Sequence, residues 1–511
     1  MNWTGVDTAQ GHGSLLISGA RVLDPYGELH RPPVTDILVE QGRIVALGGE
    51  AHARGRSAQP FDARGHLITP GFVNAHCHSH DMLLRGLFEQ KSLESWGMIA
   101  FPFNWPSRGA EEIALRTRAH GIECLLGGMT TIQDMVTLVD FKQEHAEAVV
   151  DAYSQTGIEA VIAPQFSDLP GVAGIPFAEE CFSASELAAL GGGVDFEPVA
   201  EKLKSIFKHV SAPRLSWALG PVQLQICSDD ALRWTADHSA ETGLRIYTHL
   251  YETRSEAVLA RHSLAADSGS AVRRLARLGI AGARLTIAHG VWIAPDEIRQ
   301  LAEAGVGLAA NTVTNLKLMN GFAPIRGYSD EGMTIGLGCD NSSASDAQNI
   351  FQAMKTFALI RAMQSAADDE SAASEAFRAA TVGGARLLGL QDEVGRIAPG
   401  YRANLAFIDV RGPAWRPFNS AVRQLVYGEP GSGVSHVMVR GTWVVKERKS
   451  ALVDEASLCR ELDQTRDRMQ RDLEDVWRKA AGFGRGYAAV ARRVADEPLG
   501  FDARSLKPPA N

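Results

Sequence analysis

Four histidines and one aspartate stand where short apolar segments of this sequence end, and together they can hold a metal ion. His76 and His78 lie at the end of FVNAHCH, His249 follows LRIYT, His289 follows LTIA and Asp340 follows TIGLGC. Residues i and i+2 of a β-strand point to the same side, so His76 and His78 can face one centre. Three imidazoles and a carboxylate form a ligand set suited to Zn²⁺ or Fe²⁺. A metal held in this way lowers the pKa of bound water and makes hydroxide available.

Each of these residues also has an ordinary structural interpretation when it is considered alone. A single strand-end histidine is commonly a hydrogen-bonded core residue, and Asp340 in GLGCD can be a turn carboxylate. Glu252, three residues after His249, can be a helix-start residue stabilised by the helix dipole. His80 extends the first pair to HxHxH and is interpreted as a structural histidine of the first loop. The joint occurrence of these residues at successive strand ends is what favours a metal site.

The segments that carry these residues alternate with amphipathic helical stretches between residues 70 and 390, a pattern typical of repeated βα units. Eight candidate strands can be counted, around FVNAH, TTIQDM, EAVIAPQF, LSWALGPVQ, LRIYTHLYE, LTIAHG, VGLAANT and TIGLGCD. Eight such units predict an α/β fold with a closed (β/α)8 barrel, whose catalytic residues lie at the C-terminal ends of the strands. The alternative is an open doubly wound sheet, but no GxGxxG follows the first strand.

Both ends of the chain differ in sequence pattern from the region between residues 70 and 390. They contain short Val/Ile/Leu-rich segments, typical of strands, separated by Gly, Pro and Asp. Residues 1–69 and 391–450 each contain too few strands to bury a core alone, which predicts one composite β-sandwich formed by both ends around the barrel. Residues 451–511 are predicted to form a helical extension that packs on its own domain or on a second subunit. Its apolar face comprises Leu458, Leu462, Met469, Leu473, Val476 and Trp477.

The length of 511 residues accommodates a large barrel with an accessory domain. A net charge of -9 without a basic run argues against nucleic-acid and acidic-membrane partners. The first residues lack a secretory signal, and no long uncharged apolar run predicts a membrane helix. Six dispersed cysteines without a CxxC pair favour a reducing cytoplasm and argue against disulfides and a cysteine-based zinc site. We expect a cytoplasmic homo-oligomer, most simply a dimer.

Longer motifs surround the strand-end residues and cover the chain almost completely from Ser14 to Lys446. They are TPGFVNAHCHSHDMLLRG, GPVQLQICSDDAL, THLYET, AHGVW, NTVTNLKLMNGFAPI, IGLGCDNSSASDAQNIFQAMK and GRIAPGYRANLAFID. With these motifs the sequence resembles the amidohydrolase superfamily, in particular the branch that contains S-adenosylhomocysteine and guanine deaminases and atrazine-type chlorohydrolases.

The resemblance implies a role for each strand-end residue. The implied metal ligands are His76, His78, His249 and Asp340. The resemblance also implies a catalytic role for Asp340 beside the metal-bound hydroxide. His289 would hydrogen-bond to this hydroxide or ligate the metal near it, and Glu252 would shuttle a proton. Binuclear relatives carry a carbamylated lysine at the end of strand four, where this chain reads GPVQLQ. One divalent ion per chain is therefore expected, with Zn²⁺ favoured over Fe²⁺.

The implied function is hydrolysis of a C–N bond in a small heterocyclic amidine by metal-activated water. Dechlorination of a triazine-like ring, amide or urea cleavage by the same metal site, and a non-catalytic scaffold are the alternatives, and the complete ligand set argues against the scaffold. Departures from the relatives' motifs, such as Tyr251 and Asn341, leave the substrate open. The candidate substrate contacts are Gln90, Gln133, Gln165, Gln223 and Asn311.

Overall fold

The computed structural model describes residues 13–365 and 369–505, which form a mixed α/β protein with parallel sheets and one separate, largely antiparallel sheet. The strands before the parallel region are β1 (Leu15–Val22), β2 (Val34–Glu40), β3 (Arg43–Leu47), β4 (Gln59–Asp62) and β5 (His66–Pro70). The strands of the parallel region are β6 (Phe72–His78), β7 (Met129–Asp134), β8 (Glu159–Ile162), β9 (Gln165–Phe166), β10 (Leu215–Trp217), β11 (Gly220–Pro221), β12 (Ile246–Leu250), β13 (Leu285–His289), β14 (Gly307–Ala310), β15 (Ile335–Leu337) and β16 (Asp340–Asn341). The strands that follow are β17 (Leu405–Asp409), β18 (Val434–Val439), β19 (Thr442–Lys446) and β20 (Lys449–Ser450).

Strands from both chain ends form one nine-stranded sheet. Its order is β20-β19-β18-β17-β5-β1-β2-β3, with β4 paired to β1. The two halves meet where β5 and β17 pair antiparallel, with Ile68 opposite Phe407. Ile17, Ile37 and Phe407 belong to a buried apolar cluster that draws on both halves. Neither end therefore has a complete core without the other.

The parallel strands are paired in an order that follows the chain. One sheet runs β16-β6-β7-β8-β10 and a second runs β12-β13-β14-β15, and a bridge between Leu219 and Ile246 links the two. The pairing returns to its start because β16, which follows β15, pairs with β6 through Asp340 and Cys77. All residues of β6 and β7 are buried, as expected for strands covered on both faces. The ends of β6, β12, β13 and β16 consequently face one common region.

Helices separate most of these strands and surround the parallel region. They are α1 (Gly48–Arg54), α2 (Leu93–Ala100), α3 (Ala110–Leu126), α4 (Gln143–Thr156), α5 (Ala178–Cys181), α6 (Ala184–Ala189), α7 (Phe196–His209), α8 (Asp229–Thr242), α9 (Arg254–Ser263), α10 (Ala271–Arg277), α11 (Pro295–Glu303), α12 (Thr312–Lys317), α13 (Ile325–Asp330), α14 (Ser342–Ser345), α15 (Ile350–Met363), α16 (Ala372–Arg378), α17 (Gly384–Leu387), α18 (Ala421–Arg423), α19 (Glu455–Gly482) and α20 (Gly484–Ala495). Helix α8 shows how the sequence sets such bounds. The Ser228 side chain caps its first turn, and Gly243 ends it with φ 74°, a conformation that glycine adopts without a steric penalty.

The C-terminal extension is helical, as its periodicity predicts, and it packs against the same chain. Asp454 caps α19, and Leu458 and Val476 are buried. Leu462, Met469 and Leu473 are partly buried in the same apolar clusters. Trp477 departs from the predicted face: it is 45% exposed, with the Lys91 ammonium 5.8 Å from its ring centre.

Two further observations concern the described residues as a whole. None of their helices combines the length and apolar character required to cross a membrane. All six cysteines lie among the described residues and are free thiols.

Candidate active site

The predicted ligands converge at the ends of three strands. The ligand nitrogens of His76 and His78 from β6 and His249 from β12 lie within 4.8 Å of one another. Asp340 at the start of β16 places Oδ1 3.3 Å from Nε2 of His78 and 3.5 Å from Nε2 of His76. All four side chains are buried. The structure thus brings together the four residues that the sequence proposed as ligands.

Hydrogen bonds to backbone carbonyls determine which nitrogen of two histidines faces the centre. Nδ1 of His78 lies 2.6 Å from the Met135 carbonyl oxygen, and Nδ1 of His249 lies 2.6 Å from that of Val222. A carbonyl oxygen only accepts, so each Nδ1 carries the proton and each neutral ring presents a lone pair at Nε2. The two Nε2 atoms are 3.3 Å apart. Two lone pairs at that distance repel unless a cation lies between them.

The remaining donor atoms also fit a metal ion. His76 Nε2 and Asp340 Oδ2 are buried without a hydrogen-bond partner among the described residues. Burial raises the pKa of Asp340, but the adjacent imidazoles of His289, His76 and His78 outweigh it and hold the pKa well below the usual range. The cluster therefore combines an anionic carboxylate with imidazole lone pairs, the protonation states that metal binding requires.

Glu252 and His289 lie next to this cluster. Nε2 of His289 is 3.4 Å from Oε2 of Glu252 and 3.7 Å from Oδ2 of Asp340, so the imidazole lies between two carboxyl groups. Burial, with the charge of neighbouring His76, lowers the pKa of His289 to about 4. Burial and the negative charge of Asp340 raise the pKa of Glu252 well above its usual value. The His289 imidazole thus faces a carboxyl group whose burial favours the protonated form.

Two asparagines position this pair and were not singled out as site residues in the sequence. Nδ1 of His289 lies 2.9 Å from Oδ1 of Asn315, an acceptor that leaves the His289 lone pair on Nε2. Asn320 donates through Nδ2 to Oε1 of Glu252 at 2.8 Å. Both lie within NTVTNLKLMNGFAPI, so the motif held the signal, but the spacing alone does not show which side chains turn inward.

The backbone is strained where it presents these side chains. Tyr251, His289 and Asp340 have φ angles of 50°, 73° and 60°, a left-handed region that residues other than glycine rarely occupy. Gly338 is required for a different reason, since a Cβ atom there would lie 2.0 Å from Asn311 Oδ1 and 2.9 Å from His76 Cβ. The bends and the close approach together place the strand ends around one centre. Such strain persists only where the surrounding structure compensates for it.

A small cavity lies over the cluster, and two of the five candidate substrate contacts line it. Gln165 and Gln223 do so, together with His78, His249 and Asp340. Asn311 is buried beside His289, with Nδ2 3.3 Å from Nε2. Gln133 is buried on β7, and its amide lacks a hydrogen-bond partner within the described ranges. Gln90 is exposed and is not among the described residues that line the cavity.

The cavity is covered by α2 and its neighbourhood, which the sequence did not indicate. Leu93, Trp96, Phe101 and Leu318 form an apolar cover above the polar residues. The Trp96 indole donates to Oγ of Ser343 at 2.9 Å and so fixes the ring over the site. His80 also lines this cavity, and burial, with the charge of His78, lowers its pKa well below the usual value. The arrangement can exclude water around an aromatic substrate.

Comparisons with known proteins show which family this chain resembles. Residues 67–444 match the family model described as "Amidohydrolase family". The 5-methylthioadenosine/S-adenosylhomocysteine deaminase of Symbiobacterium thermophilum is 30% identical over 85% of this chain and 94% of its own length. A deaminase of the same name from Natronomonas pharaonis is also 30% identical, over 88% of this chain and 97% of its own length.

Solved structures resemble the chain over most of its length. The zinc complex of the atrazine chlorohydrolase TrzN from Arthrobacter aurescens superimposes with a TM-score of 0.75 and 25% identity, covering 88% of this chain and 99% of that one. An adenosine deaminase from Xanthomonas campestris with bound zinc gives a TM-score of 0.79 at 24% identity, covering 89% and 98%. At this identity, the similarity to the adenosine deaminase shows a shared fold and no more.

Proposed function

Because the chain belongs to the amidohydrolase family, we propose that it hydrolyses the exocyclic C–N bond of a heterocyclic amidine and releases ammonia. Its general class is established: it is a metal-dependent hydrolase that acts on C–N bonds. Deamination is the finer assignment. The observation that carries it is the buried carboxyl group of Glu252, which has a raised pKa and lies beside the ligand cluster.

The pairing of the parallel strands supports a closed (β/α)8 barrel over residues 70–390, since β16 pairs with β6 and completes the circuit. The shared apolar cluster of the nine-stranded sheet supports a composite β-sandwich within residues 1–69 and 391–450, of which residues 1–12 lie outside the described part of the chain. Helices α19 and α20 support a helical extension within residues 451–511, of which residues 506–511 are also outside it. Unpaired cysteines support a reducing cytoplasm. A homodimer remains a prediction.

His76, His78, His249 and Asp340 would hold one divalent ion, Zn²⁺ in preference to Fe²⁺. The opposed lone pairs of His78 and His249 support this assignment. The candidate barrel strand that ends in GPVQLQ carries Gln223 there rather than the lysine of binuclear relatives, which supports one ion rather than two. When bound, the metal would lower the pKa of the attacking water and so make hydroxide available.

The chain's own groups can complete the proton transfers of deamination. The Asp340 carboxylate would accept a proton from the attacking water as the new C–O bond forms, and Glu252 would donate its proton to the ring nitrogen next to the reacting carbon. Asp340 would then pass its proton to the amine, so that the C–N bond breaks and ammonia leaves. Glu252 would take the proton of the new hydroxyl group as the carbonyl forms, and both carboxyl groups return to their starting states. His289, neutral and fixed by Asn315, accepts a hydrogen bond through Nε2 and keeps the water and Glu252 aligned.

The cavity walls favour a flat, aromatic substrate with polar edges. Trp96 and Phe101 contribute aromatic side chains to the wall, and Gln165 and Gln223 contribute amides that can hydrogen-bond ring nitrogens or carbonyls. Relatives named as 5-methylthioadenosine and S-adenosylhomocysteine deaminases point to 6-aminopurines. We therefore propose an adenine-containing nucleoside as the substrate class.

A screen of zinc-loaded protein tests this proposal. Adenosine, 5-methylthioadenosine, S-adenosylhomocysteine, guanine, aminopterins, atrazine and an aryl urea are compared by ultraviolet absorbance and by ammonia or chloride release. We expect ammonia from at least one 6-aminopurine, and Asp340→Asn, prepared in parallel, supplies the background. Chloride release from atrazine without ammonia from any purine would replace the deaminase assignment by a dechlorinase.

A further inference from the structure

A second cavity of about 270 Å³ lies beside the catalytic one, and the C-terminal extension forms one of its walls. Tyr487, Val490, Ala491 and Val494 of α20 line it. Liquid water occupies about 30 Å³ per molecule, so this cavity has room for roughly nine water molecules. That volume suits a substantial substituent rather than a single functional group.

The two cavities are neighbours along three chain segments. Helix α2 presents Trp96 to the catalytic cavity and Glu94 to the outer one. Glu252 lines the inner cavity and the next residue, Thr253, lines the outer one. Asn320 lines the outer cavity and donates to Glu252. A substrate with its reacting carbon beside Glu252 would therefore extend its remote part toward α20.

The wall formed by α20 is anchored to the helix that follows Glu252. Arg254 at the start of α9 donates to the carbonyl oxygens of Val494 at 3.1 Å and Glu497 at 2.7 Å. Arg261 donates to that of Pro498 at 2.7 Å. These cations satisfy carbonyls at and just beyond the C-terminal end of α20 and are favoured there by the helix dipole. The wall is held in place by these contacts before any ligand binds.

The extension lies beyond residue 444, where the match to the family model ends. We infer that α20 is a specificity-determining wall that selects substrates by the substituent remote from the reacting C–N bond. This inference rests on the proposed function. In this second cavity, the outer chamber, Trp292 and Met319 form an apolar part of the wall. Glu94 contributes carboxylate acceptors and Ser92 contributes a hydroxyl group. The ligand class is a 6-aminopurine nucleoside with a long, partly apolar arm that carries hydroxyl or amino groups.

The test fills the chamber from the α20 side. Ala491→Trp places an indole at the wall, and Ala488→Trp is the matched control, because Ala488 is exposed on the same helix and is not among the described residues that line the chamber. Both zinc-loaded variants and the wild type are titrated calorimetrically with inosine and S-inosylhomocysteine, the products of deamination. Values of kcat/KM are measured with adenosine and S-adenosylhomocysteine. Thermal unfolding and metal content establish that both variants are folded and loaded.

We expect the wild type to prefer the long-armed member of each pair. Ala491→Trp should lower that preference at least about tenfold, since a change of one methylene group in an apolar pocket already alters discrimination by about 10- to 200-fold. Ala488→Trp should leave the preference unchanged. An unchanged preference in Ala491→Trp, equal losses for both ligands, or no preference in the wild type would overturn the assignment of α20. A wild type that binds neither product and deaminates neither substrate would contradict the proposed function itself, and the inference with it.

Discussion

Replacement of Glu252 by glutamine separates the proton-transfer role of this residue from its structural role. Glutamine has nearly the same size, and its amide oxygen can accept the hydrogen bond from Asn320 that Oε1 of Glu252 accepts at 2.8 Å. The amide nitrogen would face the lone pair of His289, whose Nε2 lies 3.4 Å from Oε2 of Glu252. The local packing should therefore persist, while the transferable proton is lost.

The expected magnitude follows from the role of a general acid. Burial and the charge of Asp340 raise the pKa of Glu252 well above its usual value, which favours the protonated form that a general acid needs. General acid–base catalysis contributes about 10²–10⁴-fold, and each tenfold change corresponds to about 1.4 kcal/mol of activation free energy. We expect Glu252→Gln to lower kcat by that factor, a barrier increase of about 3–6 kcal/mol.

The assay combines kinetics, elemental analysis and a pH profile. Metal content should equal that of the wild type, because Glu252 is outside the proposed ligand set. Since the wild type needs Glu252 protonated, its kcat/KM should fall at alkaline pH, and the variant should lack the part of this decline that Glu252 causes. Glu111→Gln, at an exposed position in the first turn of α3, controls for preparation. Loss of metal would make Glu252 a ligand, and full activity would indicate a leaving group, such as chloride, that needs no proton.

Three further outcomes follow from the site and its surroundings, and one from the assembly. Asp340→Asn should lose most of its metal and its activity, and full metal occupancy by elemental analysis would refute the ligand assignment. Asn315→Ala releases Nδ1 of His289 and should lower kcat about 10- to 100-fold, whereas unchanged kcat would show that Asn315 does not position the imidazole. Burial, with the charge of Glu94, raises the pKa of Glu256 to about 8. The folded state therefore keeps this proton over a pH range in which the unfolded state, with a pKa of about 4.5, has released it. Wild-type stability should fall relative to that of Glu256→Gln as the pH rises from 5 to 8, and melting temperatures that change in parallel would contradict this. Light scattering should give the mass of a dimer, and a monomeric mass over a wide concentration range would refute that prediction.

The ligand cluster could be predicted from the sequence because each member ends an apolar segment. In consecutive parallel strands such ends meet at one edge, so the sequence pattern places His76, His249 and Asp340 near one another. Their roles as metal ligands came from the resemblance to the amidohydrolase superfamily. The composite sheet could be anticipated for a similar reason, since neither end of the chain contains enough strands for its own core. These inferences depend on periodicity and strand order, which a single sequence displays directly.

Other parts of the site depend on how side chains turn after the strands end. Asn320 reaches Glu252 from a loop that follows α12, and no periodicity specifies that contact. Gln90 was proposed as a substrate contact because it lies near the first motif in the sequence, but its side chain is exposed. The outer chamber depends on where α20 docks, which is determined by hydrogen bonds from Arg254 and Arg261 to its end. Amphipathic patterning predicts that a tail helix packs, but it does not predict against which surface.

The junction of β5 with β17 has a consequence for how the protein can be synthesised and divided. Ile68 pairs with Phe407 across the sheet, so the sheet that contains the first strands cannot be completed until most of the chain has been synthesised. Contacts between such distant residues slow folding and leave apolar strand edges exposed meanwhile. A fragment that stops before residue 405 would retain the residues of the catalytic centre and yet lack β17, one of the two strands that pair with β5. Soluble expression of isolated catalytic segments should therefore require the C-terminal strands, supplied in the same chain or as a separate peptide.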